Sequence, residues 1–362
     1  MMRHVAANAI SLLILLLVLA FGLVTWGQRQ FGGPGPADAP VQIQVARGEG
    51  LASVSQKLAA AGAISNPSIF RIGARYAKLD AGLKYGDYEF PAHASMADIL
   101  RQLNMGGNVL RQVIVPEGWT SWQVVEALKA RDDLSGEIAA IPPEGSLAPA
   151  GYDYQTGDDR QGLLDRMAAE QAKVLAEAWA TRAPGLPVRT PAELLTLASI
   201  VEKETGVPEE RDQVAGVFVN RLRRGMRLQT DPTVIYGITK GETTLGRGLR
   251  ASELAQSTPY NTYVIAGLPP TPIANPGKES IQAAAHPAET DAIYFVADGS
   301  GGHAFAATLT DHNRNVAAWR RIEAQRAAEE RAAAGAGGTG GTGGTGAGGG
   351  TTSGAGGAAP TQ

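Results

Sequence analysis

The chain has 362 residues, 44% of them hydrophobic, with 32 Lys and Arg against 35 Asp and Glu and no cysteine. That length leaves room for two domains, and a formal net charge of -3 gives no global basic field, which argues against a nucleic-acid partner. The absence of cysteine removes disulfide scaffolds, thiol nucleophiles and Cys-ligated metal centres together.

No residue from Ala9 to Trp26 is charged. As a helix this stretch is about 27 Å long, enough to cross a hydrocarbon core, so it reads as a single-pass anchor. A cleavable signal peptide is the competing reading. Its apolar region would run to about 7–15 residues with a small-x-small site directly after, whereas Ala37-Asp38-Ala39 comes late. Arg3 and Arg29 nearly balance the positive-inside count, and the size of the downstream part favours a short inner segment, 1–8, and an exported body beyond a linker, 27–40.

Val41–Val45 alternates like a strand, Gly50 opens a helical stretch ending at Gly62, and Ser65-Asn66-Pro67 opens a second helix. That helix carries Ile69, Ile72, Tyr76 and Leu79 on one face. A strand follows over Leu83–Phe90, then a helix from Ser95 and Asp98 through Leu103. Val113–Val115 with Glu117-Gly118 faintly repeats Val41–Val45 with Glu49-Gly50, but two copies do not make a solenoid. The stretch from Asp133 is Pro/Gly-punctuated and becomes helical over Gly162–Thr181.

Thr190-Pro191-Ala192-Glu193 is a capping box with proline at the first helical position, and the helix runs until Gly206 and Pro208 stop it. Leu194, Leu197, Ala198 and Val201 share a face. Glu202 falls about 90° from its centre and Glu204 about 70° on the other side, so periodicity alone leaves open which glutamate faces a site. A carboxylic acid against apolar neighbours has its neutral form favoured, and either could serve as a general acid. A second helix spans about Glu209–Arg224. Leu228–Gly237, Ser257–Gly277 and Ala283–Pro287 read as turn-rich loops beside short strands, followed by a hairpin over Ile293–Phe305. Tyr, Asn and rigid prolines in such loops suit a sugar site: flat faces for pyranose rings, amides for hydroxyls.

Residues 194–315 resemble the endolytic murein (peptidoglycan) transglycosylase family, or YceG-like proteins, through SIVEKET (Ser199–Thr205), QTDPTVIYG, PYNTY (Pro259–Tyr263), GLPPTPIANPG (Gly267–Gly277), His286-Pro287, YFVADGSGGHAF (Tyr294–Phe305) and His312-Asn313. One departure stands at Ala150-Gly151, where the family has Asp-Thr in an E-G-x-L-x-P-D-T-Y loop. The implied fold class is α+β: a transmembrane anchor (9–26), LysM-like module or modules (41–145), a mixed α+β catalytic domain (146–331) and a disordered Gly/Thr/Ala-rich tail (332–362).

The resemblance implies cleavage of the MurNAc–GlcNAc β-1,4 bond with a 1,6-anhydro product, Glu202 as the catalytic acid, and no cofactor. It also implies an inner-membrane location with the catalytic domain in the periplasm, peptidoglycan strands as substrate and peptidoglycan synthases as candidate neighbours. Gln229, Thr230, Asp231, Tyr260, Asn261, Tyr263 and His303 are the candidates for holding the sugar. Asp231-Pro232 and Asn261-Thr262 are also ordinary turn chemistry. Five histidines in no H-E-x-x-H spacing give no metal site. Two other functions stay open: a water-using muramidase with Asp231 as the second carboxylate, and a glycan-binding scaffold that does not cleave.

Overall fold

The computed structural model describes residues 2–336, with side chains over 10–331. Two compact units form: residues 1–113, 131–137 and 152–163 make the first, and 114–130, 138–151 and 164–362 the second. The chain thus passes between units several times, where the sequence suggests a single boundary at 145.

In the first unit, α1 (Met2–Gly32) includes a stretch, Ile10–Gly32, of mean hydropathy 2.5 with none of it buried. Length and composition fit a single-pass membrane anchor. Its far end packs on α3 (Pro67–Tyr76) and α4 (Met96–Met105), with the Phe31 ring on the core. Strand β1 (Val41–Val45) pairs antiparallel with β2 (Gly86–Phe90), Val41 opposite Phe90 and Val45 opposite Gly86. Helices α2 (Leu51–Ala60) and α3 lie between them in sequence. Each start has a local cause: the Asn66 side chain accepts from the Ser68 and Ile69 amides ahead of Pro67, and Ser95 accepts from Asp98 N. Val54, Leu58, Phe70, Ala74, Tyr88, Ile99 and Leu103 fill the core. The Tyr88 hydroxyl satisfies itself on Lys84 O at 2.6 Å, and burial pushes its pKa up to about 12.

One expectation is overturned here. The face of α3 that enters the core carries Phe70 and Ala74, while Ile72 is 68% and Tyr76 87% exposed. Phe70 and Ala74 take the inner face together, and Gly73 gives room to Phe31. Strands β3 (Arg111–Ile114) and β4 (Gly151–Tyr154) form a second pair, and Arg111 bridges Asp87 and Asp133 at 3.4 and 3.1 Å.

The second unit is built around α7 (Pro191–Glu204). Thr190 caps it through Glu193 N, as the box indicates. Every residue from Leu194 to Val201 is buried, so the helix is a core rod and not a half-exposed amphipath. Around it stand α8 (Arg211–Arg223), α9 (Asp231–Thr239) and α11 (Lys278–Ala285). The polar Ser199 is tolerated inside because its hydroxyl donates to Thr196 O and accepts from Ile273 N.

Residues 231–237 and 283–285, expected in turn-rich loops, are therefore helical, in α9 and at the end of α11. Thr230-Asp231-Pro232 is an N-cap with an acid and a proline in the first turn, which outweighs the β-branched content that follows. Helices α5 (Ser121–Lys129), α6 (Arg160–Thr181) and short α10 (Ala251–Ala255) precede the expected hairpin, β5 (Tyr294–Ala297) with β6 (His303–Ala306). Helix α12 (Leu309–Ala336) packs on that hairpin. Of the tail expected to be disordered (332–362), residues 332–336 instead continue α12, and the rest lies outside the described residues.

Candidate active site

Helix α7 ends where the chemistry begins. Glu204 is its last residue, and the extended Thr205 after it turns the chain into a short 3-10 turn, Pro208–Glu210. The Thr205 hydroxyl accepts from Val207 N at 3.0 Å and fixes that turn.

The Thr230 hydroxyl donates to Glu204 Oε1. Thr230 is itself held by Thr262, whose Oγ1 accepts from Thr230 N at 3.0 Å and lies 2.8 Å from Thr233 Oγ1. Asp231 follows, its carboxylate accepting from the Tyr263 hydroxyl at 2.6 Å. The Glu204 side chain keeps part of its surface open to solvent while protein atoms crowd it on its other sides. That crowding pushes its pKa up to about 7, aided by the Asp231 charge and opposed by Thr230, His303 and Arg221. A carboxyl that is open on one side and titrates near neutrality is what general acid catalysis requires.

Glu202 points elsewhere. Its Oε2 accepts from Gly277 N at 3.0 Å, at the positive end of α11. Beside it, burial and the Glu202 charge raise the pKa of Glu117, and Arg211 answers Glu117 at 3.6 Å. This carboxylate ties the α11 start to α7.

The remaining sequence candidates divide. Thr230, Asp231, Tyr263 and His303 gather around Glu204. Asn261 is fully buried, its amide donating to Glu253 O, Leu254 O and Gln256 O and its Oδ1 accepting from Tyr263 N. It shapes the turn that presents Tyr263. Gln229 has an exposed side chain and a φ of 48°, with its amide on Thr262 O. Tyr260 lies against Tyr236 at 5.0 Å with its hydroxyl 2.7 Å from Thr271, an aromatic surface beside Glu144, which accepts from Tyr236 at 3.1 Å.

Three residues escape sequence reasoning. Glu210 takes both the His303 amide, at 2.9 Å, and Nδ1, at 2.7 Å, which fixes the ring. Arg221 is buried, donating to Ile293 O and Leu228 O, with Tyr294 between it and His312. Glu144 sits in the loop with the Ala150-Gly151 departure and anchors Ser121 N at 2.8 Å. The available signals were the repeated acid of Glu209-Glu210 before α8, which resembles ordinary helix-start charge, and the leading acid of the E-G-x-L loop for Glu144. Among the described residues no His, Asp or Glu cluster could hold a metal ion. A groove of about 640 Å³ is lined by Pro184, Gly216, Asn220, Pro287 and Asp291, and none of the Glu204 group lines it.

Residues 43–318 match the YceG-like family. This chain belongs to that family. Over 87% of its length it is 31% identical to a Streptococcus pneumoniae serotype 2 protein named endolytic murein transglycosylase, and it spans 65% of that relative. A Bacillus subtilis protein of the same name is 28% identical, covering 76% of this chain and 83% of its own. A crystal structure of a YceG-like protein from Listeria monocytogenes aligns at a TM-score of 0.45 and 27% identity, over 77% of this chain and 99% of that one. The YceG-like match ends at 318, so the last turns of α12 lie beyond it.

Proposed function

We propose that this protein is a membrane-anchored endolytic murein transglycosylase in which Glu204, in place of Glu202, is the catalytic acid and base. The observation that carries the assignment is the Glu204 carboxyl, mostly buried with a small exposed part, its pKa pushed up to about 7 by burial, beside Asp231 and His303. The names of the relatives support the reaction class. The neutral acid gives its proton to the glycosidic oxygen as the MurNAc C1–O bond breaks. The resulting carboxylate takes the proton of the MurNAc C6 hydroxyl while O6 bonds to C1. A 1,6-anhydro ring closes, the acid is regenerated and no water is consumed. Asp231, oriented by Tyr263, shields the positive charge that develops on the sugar, and Tyr260 offers a ring face to a neighbouring pyranose.

The reading places the body in the periplasm with α1 in the inner membrane, peptidoglycan synthases as neighbours, and the β1-α2-α3-β2 module as a LysM-like glycan contact. A second carboxylate this close to Glu204 also favours the water-using muramidase reading, with Asp231 as base. Purified full-length protein acting on uncross-linked glycan strands, with products weighed, tests the assignment. Glu204→Gln is expected to lose about 10²–10⁴-fold in rate and Glu202→Gln to keep cleaving. The reverse pattern would return the role to Glu202, and absence of any cut by the unaltered protein would leave a scaffold.

A further inference from the structure

Helix α3 is amphipathic on its outer side, with no protein over it. Ile72 and Tyr76, one turn apart, are 68% and 87% exposed, with Arg75 and then Arg71 further round one side of the helix and Lys78 just past its end. At about 100° per residue, Tyr76 lies only ~60° around the helix from Gly73 and Ile72 ~100° from it. Gly73 is where the Phe31 ring of α1 sits, so close that a Cβ would overlap it. The apolar stripe is therefore the side of α3 that adjoins the end of the membrane-spanning helix.

That end is not on a loose tether. After α1 the chain is held to the first unit by Gly35 N on His93 O at 3.1 Å and His93 N on Ala37 O at 2.8 Å, and a Cβ on Gly35 would strike Ala94 O. From Ile10 to Phe31 the helix rises about 31 Å, one hydrocarbon thickness, which puts Phe31 at the bilayer surface.

We propose that α3 lies in the headgroup region of the bilayer that α1 spans, with Ile72 and Tyr76 entering the acyl boundary and Arg71, Arg75 and Lys78 meeting anionic headgroups. Tyrosine at the interface and arginine beside acidic lipid are the chemistry of such a helix. The inference rests on the anchor reading of α1. Its consequence is that the first unit is held against the membrane surface at two points, which fixes its orientation to the bilayer.

The cysteine-free chain allows single nitroxide labels at Ile72→Cys, Tyr76→Cys, Gln56→Cys and Leu17→Cys, with the full-length protein in nanodiscs of phosphatidylethanolamine and phosphatidylglycerol. Collision with oxygen against a water-soluble nickel chelate is then read. Labels at 72 and 76 are expected to favour oxygen as the label at 17 does, while the one at 56 favours nickel. Labels at 72 and 76 matching 56, with 17 in lipid, would overturn the inference. Spin–spin broadening at 72 or 76 would also overturn it by pointing to a second copy as the cover. A water-exposed label at 17 would instead reject the anchor itself. Exchanging phosphatidylglycerol for phosphatidylcholine should lower the oxygen preference at 76 by about twofold, and no change would remove the headgroup contribution.

Discussion

Glu202 and Glu204 are two residues apart, which places them about 160° from each other around α7. One reaches the start of α11 and the other the Thr230–Asp231 turn. An unfolded glutamate titrates at about 4.3, and the folded Glu204 near 7. The raised value means the folded state favours the neutral acid. That contribution to stability is complete below about pH 4.3 and is lost as pH rises through 7. Glu204→Gln, which stays neutral, is expected to exceed the unaltered protein in stability by about 1–2 kcal/mol above pH 7, with the gap closing in acid; the figure is reduced because the carboxyl is partly open. Urea unfolding across pH 4–8 measures it, and a gap independent of pH would contradict the burial argument. Cleavage should correspondingly fall on the alkaline side as the acid loses its proton. At the same scale, Glu210→Ala frees the His303 ring and is expected to lower kcat about tenfold with little change in melting, read by paired kinetics and thermal unfolding.

The loop from Ser257 to Tyr263 shows how an element can serve a site without touching substrate. Asn261, fully buried, closes it by sharing its two amide hydrogens among three carbonyls, so Asn261→Ala opens a cavity and loosens the turn and is expected to cost about 1–3 kcal/mol in urea unfolding. Tyr260→Ala, on the exposed side, should unfold nearly as the parent and raise KM; equal destabilisation by the two would contradict this division of labour. Caps made much of the fold legible: Asn66-Pro67, Ser95 with Asp98, and Thr190-Pro191 with Glu193 each start the helix their chemistry indicates. Rotation was not legible, because α3 faces inward with Phe70 only once β1, β2 and α4 are assembled. Residues 231–237 resisted for a related reason: Asp231-Pro232 is turn chemistry locally, and packing on α7 makes it the first turn of a helix. The site was half legible. The residue types near Glu204 stand out in sequence, whereas choosing between Glu202 and Glu204 requires the turn at 230 and the hairpin at 303 to be in place.

At the scale of the whole chain, the exposed apolar length of α1 and the packed ring at its end have separate roles. Removing residues 1–28 is expected to yield a water-soluble, folded protein. Phe31→Ala in that shortened chain should cost about 1–2 kcal/mol in the first unit, since the ring is only partly buried. Calorimetry of the two proteins compares them, and identical unfolding would show that Phe31 adds nothing to the core. On the proposed mechanism one acid suffices, because the sugar's own hydroxyl is the nucleophile. Digestion of glycan strands in heavy-oxygen water, followed by mass spectrometry of the new MurNAc ends, tests it most directly. Unlabelled ends one water lighter than reducing ends are expected, formed by the unaltered protein and not by Glu204→Gln; one heavy oxygen per cut would contradict attack by the sugar hydroxyl and make Asp231 the base of a hydrolase.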